Sequence, residues 1–160
     1  MAKKIPSDLK EKGRNAIAAA LNLLVADAFS IYVKSKNFHW HLASRHFRDL
    51  HLFFDEQADQ IFAMIDPLAE RVRKLGGTTI RSIKHISRLQ KVKDNDELSL
   101  TAEEMLQDLL NDNKNYVTRM RTAHKVCERH RDVATCSILE IFIDETERRI
   151  WFLFQTLNPN

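Results

Sequence analysis

Four long stretches of this chain carry apolar residues at the three- and four-residue spacing of amphipathic helices. The first runs from Ser7 or Asp8, either suited to cap a helix, to near Leu42. A short break at "ASRHF" leads to the second, from about Arg45 to Leu75, which Gly76 and Gly77 close. Thr101 and Glu104 in "TAEE" have capping-box spacing and open the third, which lasts to about His130. The fourth starts near Asp132 and ends before Pro159. Residues 78–100 form a long connection in which "RSIKHISRL" is periodic enough for a short helix. Pro67 lacks a backbone donor and predicts a bend in the second stretch, at a cost of about 3 kcal/mol in a regular interior.

Two short connections and one long crossover predict an all-α, ferritin-like four-helix bundle, with a short extra helix between helices 2 and 3. Composition agrees: glycine and proline number three each, too few for the frequent turns of a β sandwich. The 160 residues suit a single domain, 1–160, whose first six residues read as a short basic tail.

No run of 18 apolar residues occurs, so a transmembrane helix and a membrane partner are not expected. "AIAAALNLLVADA" has the look of an export signal, but Asn22 interrupts it. Apolar spacing continues through Phe29, Ile31, Tyr32 and Val33, as in a helix that simply goes on. Two cysteines, Cys127 and Cys136, are too few for a disulfide framework, and a reducing cytoplasm is the expected compartment. The net charge of +3 does not by itself require a nucleic-acid partner. Its distribution is uneven: residues 71–93 hold eight Arg or Lys and no acid. That run reads equally as a solvated basic face or as a phosphate-binding one.

The chemistry concentrates on the second helix, in "HLFFDEQADQIFAMIDPLAE". His51 and Asp55 stand four apart, as do Asp66 and Glu70, and all four fall within roughly a quarter of the helix circumference. Along the axis, however, Asp55 and Asp66 are about 16 Å apart, too far to share one metal or a bridged metal pair. Each pair taken singly also reads as solvated surface charge. The two pairs are nevertheless symmetric: His51 with Glu70 and Asp55 with Asp66 are both centred between residues 60 and 61. Two antiparallel copies of this helix about a two-fold axis would set His51 against Glu70 and Asp55 against Asp66, twice over. His39, in the last turns of the first helix, belongs at the same height as His51. The expected site is His39, His51 and Asp55 from one subunit with Asp66 and Glu70 from its two-fold partner. Imidazole with carboxylate suits iron, manganese or zinc. No Glu-x-x-His occurs, which argues against a site inside one bundle.

"HW" at His39 and Trp40, followed by "HLFFDEQADQIFAMIDPLAERVRKLGG", resembles the Dps family of mini-ferritins, the DNA-binding proteins from starved cells. The resemblance spans nearly the whole chain, including the crossover helix and "IWFLF" near the end. It implies a dodecamer built from two-fold dimers. It also implies a ferroxidase that oxidises Fe2+ to Fe3+, preferably with hydrogen peroxide, and stores ferric oxide while protecting DNA. The family's ligands fall on His39, His51, Asp55, Asp66 and Glu70. Trp40 matches a residue with a redox role in the family, though packing at a dimer seam explains it equally well. The family's iron-admitting pore implies Asp132, with Glu140 and Asp144 standing in for an acid where Ser137 occurs. Ser44 and Arg45 replace a Gly turn found in many relatives.

DNA contacts are expected, if anywhere, from Lys3 and Lys4 in the tail, repeated over many subunits and indifferent to sequence. A non-specific DNA-binding, nucleoid-compacting structural protein with a weak metal site is the alternative reading. His41 and His46 flank the proposed site. His124, Cys127, His130 and Cys136 form a His/Cys group that could also hold zinc, although their spacing turns them apart.

Overall fold

The computed structural model describes residues 5–158, and every regular element among them is helical. In chain order these are α1 (Glu11–His41), α2 (Phe47–Lys74), α3 (Ile83–Leu89), α4 (Ala102–Arg129) and α5 (Val133–Leu157). α1 packs along α2, α4 along α5, and α1 also against α4 and α3. The expected bundle with a helix in its crossover is therefore what forms. Lys3 and Lys4 lie outside the described residues.

Two helix starts are later than expected. The Ser7 hydroxyl accepts the Leu9 N–H two residues on, a local turn that competes with capping, and α1 begins only at Glu11. In the same way the Ser44 hydroxyl accepts the His46 N–H, and α2 begins at Phe47 rather than Arg45. The helix ends follow the expected chemistry. At the end of α2, Gly76 (φ +83°) donates to Arg73 O and Gly77 to Val72 O, the paired bonds of a Schellman motif. α4 ends the same way, with Arg131 to Glu128 O and Asp132 to Cys127 O, but here a non-glycine, Arg131, takes the left-handed conformation (φ 59°). Thr101 and Glu104 form the capping box at α4.

α2 runs unbroken through Pro67. The missing N–H is one that Ala63 would have received, and Ala63 is exposed, so water can serve its carbonyl. α1 reaches a mean hydropathy of 1.8 over its most apolar 18 residues, enough by length and composition to cross a membrane. Its apolar side chains are instead the centre of the core. Ile17, Leu21, Leu24, Ile31 and Phe38 are wholly buried, each worth about 1.5–3 kcal/mol of burial. "AIAAALNLLVADA" lies inside this helix.

Polar side chains of α1 hold the crossover against it. Asn22 Nδ2 donates to Thr78 O (2.8 Å), and Asn37 Nδ2 to Asn95 O (3.0 Å). Between them the buried Asp27 carboxylate accepts the backbone N–H groups of Lys91 (2.6 Å) and Val92 (3.1 Å). Arg119 Nε stands 2.7 Å from its other oxygen, as an ion pair without the angle of a hydrogen bond. A buried carboxylate satisfied from three sides is stable only in this arrangement, which pins the connection in place.

Inside the bundle Arg149 is 1% exposed. Its guanidinium donates to Asn113 Oδ1 (3.0 Å) and Thr146 Oγ1 (2.7 Å) and rests on Met64 Sδ (3.4 Å). Tyr116, also on α4, donates to Leu24 O, so buried polar contacts reach all four long helices. No carboxylate reaches Arg149 among the described residues, and its Nη1 has no partner.

Candidate metal centre

The last turns of α1 and the first turns of α2 meet side by side, as an antiparallel pair joined by a short loop requires. The His39 and His51 rings stack 3.7 Å apart at 19°, and Phe47 lies 5.0 Å from His51. His39 Nδ1 donates to the His51 carbonyl (2.7 Å), and His51 Nδ1 donates to the His39 carbonyl (2.9 Å). A carbonyl can only accept, so both Nδ1 atoms carry the proton. In a neutral ring this tautomer leaves Nε2 as the lone-pair donor through which imidazole binds a metal. His39 is buried and His51 half-buried.

Asp55 lies one turn further along α2, with Oδ1 3.9 Å from His39 Nε2. The same oxygen accepts from Lys36 Nζ at 2.5 Å. That hydrogen bond holds the Asp55 carboxyl below the usual carboxylate range and pushes the Lys36 ammonium up. Lys36 also lies 5.8 Å from the centre of the exposed Trp40 ring. A cation therefore already sits beside the three candidate ligands. Lys36, three residues before His39, belongs to no motif that marks it in the sequence. Only its spacing from His39 and Trp40 on one face of α1 could have signalled it.

Asp66 and Glu70 are exposed, Glu70 pairing loosely with Lys74 at 3.7 Å. Asp66 borders a groove of about 440 Å³ between α1, α2 and the crossover, lined by Phe29, Ile65, Ala69, Ile80 and Ile83. Midway between the two ligand pairs, on the same face, the large apolar side chain of Phe62 is 53% exposed and packs on Tyr32 (5.0 Å). Among the described residues of the single chain no three His, Cys, Asp or Glu side chains converge as a metal site would need. One chain brings together His39, His51 and Asp55 loosely, and does not bring Asp66 and Glu70 to them.

The other candidates separate. Asp132 is buried: it caps α5 by accepting the Thr135 N–H, takes the Thr135 hydroxyl (2.5 Å) and pairs with Arg71 Nη2 (2.7 Å). Its carboxylate is thus fully engaged within the chain, joining the end of α2 to the start of α5. Glu140 and Asp144 are exposed on α5, with His124 Nε2 2.9 Å from Glu140. His41 bonds to Asn37, and His46 sits exposed before α2. The His/Cys group disperses. His124 points to Glu140, while His130 packs where a side chain on Gly13 would lie, 2.9 Å from its ring. Burial pushes the Cys127 thiol up to about 12.

The chain matches the ferritin-like domain family over residues 18–159. It is 30% identical to DNA protection during starvation protein 1 of Deinococcus radiodurans, over 91% of this chain and 70% of that one. Among solved structures, Dps from Bacillus brevis superposes with a TM-score of 0.89 at 30% identity, covering 94% of this chain and 100% of that one. DpsC from Streptomyces coelicolor gives 0.94 at 26% identity, over 99% and 92%.

Proposed function

Because the chain belongs to the Dps family of ferritin-like proteins, we propose that two copies, joined about a two-fold axis at the α2 face, complete two identical iron-oxidising centres. Each centre takes His39, His51 and Asp55 from one copy, with Asp66 and Glu70 from the other. The observation that carries this reading is the locked His39–His51 pair, with His39 Nε2 3.9 Å from Asp55 Oδ1. The exposed Phe62, midway between the two ligand pairs, supplies apolar surface for such a contact.

Iron is the substrate. Each Fe(II) gives up one electron, and one hydrogen peroxide accepts two, its O–O bond breaking to form two waters with two protons from solvent. The carboxylates balance the charge of Fe(III), which hydrolyses to ferric oxide within a dodecameric cage. Both ingredients of hydroxyl-radical formation are consumed together, and DNA is protected. Before iron arrives, Lys36 neutralises Asp55, and an incoming cation displaces it. Glu140 and Asp144 offer exposed carboxylates for an iron inlet; Asp132 supports that end of α5 through Arg71 and Thr135. In this reading the exposed Trp40, next to His39 in the chain, gives up an electron to a stray oxidant. A cytoplasmic location suits both the reduced iron and the free thiols.

The test is peroxide-driven oxidation of Fe(II), followed by ferric absorbance. Asp66→Ala with Glu70→Ala is expected to slow it by more than the about 10–100-fold typical of losing an outer-shell partner. Equal rates in the variant and the wild type would remove the site assignment. Association with DNA is the second activity in this reading, favoured by the exposed basic residues Arg81, Lys84, Arg88, Lys91 and Lys93 of the crossover. Retardation of duplex DNA in a gel checks it.

A further inference from the structure

The α4–α5 hairpin repeats, within one chain, the spacing logic of the α2 face. His124 and Glu128 stand four apart near the end of α4, and Cys136 and Glu140 four apart near the start of α5. His124 with Glu140 and Glu128 with Cys136 are both centred on Asp132, the N-cap of α5. Two antiparallel helices joined by a tight turn set the members of each pair at one height, the two pairs one helical turn apart. The structure has this register: His124 Nε2 lies 2.9 Å from Glu140 Oε1.

The backbone around these residues is fixed. The Asp132 N–H donates to Cys127 O, and the Cys136 N–H donates to Asp132 O. The Asp132 carboxylate is itself held by Arg71 and Thr135. A ligand arriving here needs to order side chains only.

His124 lies between two carboxylates, with Nδ1 3.5 Å from Glu128 Oε2 and Nε2 facing Glu140. Around metals a carboxylate on one imidazole nitrogen fixes the ring and its tautomer, and the other nitrogen is presented as the ligand. Cys136 is half-buried. Burial pushes its thiol up, and the charges of Glu128, Asp132 and Glu140 push it the same way, so the sulfur lies in the field of the same carboxylates. A cation among them reverses that field and favours the thiolate.

We propose that His124 Nε2, the Cys136 sulfur and the Glu140 carboxylate bind Zn2+, with water as fourth ligand and Glu128 as the positioning residue on Nδ1. One imidazole, one thiolate and one carboxylate suit this borderline-soft ion and not the oxygen-seeking Mg2+ or Ca2+. At bond lengths of about 2.0–2.1 Å, a tetrahedral ion sets its nitrogen and oxygen ligands about 3.3 Å apart, so His124 and Glu140 need to part only slightly. In the metal-free chain no three ligand groups converge among the described residues. The ion supplies the convergence: the S–H proton of Cys136 leaves to solvent as the S–Zn bond forms, and the exposed Glu140 swings onto the metal. This site does not depend on the proposed iron centre, which contains no cysteine, and shares only Glu140 with the proposed inlet.

The probe is Co2+, whose sulfur-to-cobalt charge-transfer absorption reports thiolate ligation; Co2+ held by His39, His51 and carboxylates gives no such band. The full-length chain, with its thiols kept reduced, is titrated with Co2+ and then with Zn2+. Wild type is expected to show the band, saturating at one Co2+ per chain, and Zn2+ to erase it. Cys136→Ser should abolish the band and Cys127→Ser should keep it. Glu128→Ala should keep the band at the same wavelength but weaken Co2+ binding by about 10–100-fold, as loss of an outer-shell partner does. Unchanged elution volume and circular dichroism would show that each variant is folded. Absence of the band in wild type at saturating Co2+ overturns the proposal. A band lost in Cys127→Ser and kept in Cys136→Ser overturns it equally, and an unchanged affinity in Glu128→Ala removes the positioning role. Failure of iron oxidation would leave the band untouched.

Discussion

The bundle interior and the outer face of α2 are both polar, and they are built in opposite ways. In the interior Arg149 is enclosed by Asn113, Thr146 and Met64, and among the described residues no carboxylate pairs with it. Burial draws its guanidinium down to about 10, still charged near neutrality. On α2 the histidines have free Nε2 atoms, Asp66 and Glu70 are exposed, and Asp55 is neutralised only by a side chain that can leave. A buried cation among α2, α4 and α5 repels any divalent ion from its neighbourhood inside the bundle. The proposed iron centre lies instead on a surface where the described residues of one chain bring no three such ligands together.

The largest effect that could break this contrast is complementation. A His51→Ala, Asp55→Ala chain and an Asp66→Ala, Glu70→Ala chain should each be nearly inactive in iron oxidation. Co-folded in equal amounts, they should recover about a quarter of the wild-type sites, because half the pairs are mixed and each mixed pair rebuilds one centre. No recovery in the mixture would mean that each centre lies within one chain.

Arg149 comes next. Arg149→Ala should lower unfolding free energy by about 2–4 kcal/mol in urea, from the cavity and the stranded Asn113 and Thr146. Arg149→Met should stay within about 1.5 kcal/mol of wild type, since an apolar side chain of similar length avoids burying the charge. Both should oxidise iron normally if interior and surface are independent. A slowed oxidation in folded Arg149→Met would couple them.

Lys36→Gln sharpens the surface side. With its main partner gone, the Asp55 carboxyl should titrate higher, towards the ordinary value near 3.9; carbon NMR would follow it. The sign follows from the shifts. A lowered Asp55 pKa gives stability that is present above the ordinary carboxylate value and is lost as pH falls through the lower folded one. A raised Lys36 pKa gives stability that is present below 10.5 and is lost as pH rises through the higher folded one. Zinc, a redox-inert probe, should bind the variant a few-fold more tightly by calorimetry; weaker binding would make Lys36 a helper rather than a competitor. The smallest effect is expected at Arg131, where Arg131→Gly should add about 1 kcal/mol by relieving the left-handed residue.

Much of this was legible in the residues. The Gly76–Gly77 stop, the Thr101 capping box and the helix order depend on local backbone chemistry, so sequence shows them. The pairing of His39 with His51 follows from two helices joined by a short loop. The starts of α1 and α2 fall later than the residue pattern predicts because Ser7 and Ser44 spend their hydroxyls on nearer N–H groups. Asp132 reads as a free acid in the sequence, yet Arg71, 61 residues earlier in the chain, holds it.

The sequence alone determined the four apolar faces, the Thr101 capping box, the Gly76–Gly77 stop and the symmetric spacing of two ligand pairs on α2, because these depend on residues within a few turns of one another. Only the tertiary structure decided which charges are occupied: Lys36 on Asp55, Arg71 on Asp132, and, among the described residues, Arg149 without an acidic partner. The physical reason is range. A helix periodicity is written by neighbours, whereas an ion pair depends on which distant side chains folding brings within a few ångströms and how far water is excluded from them.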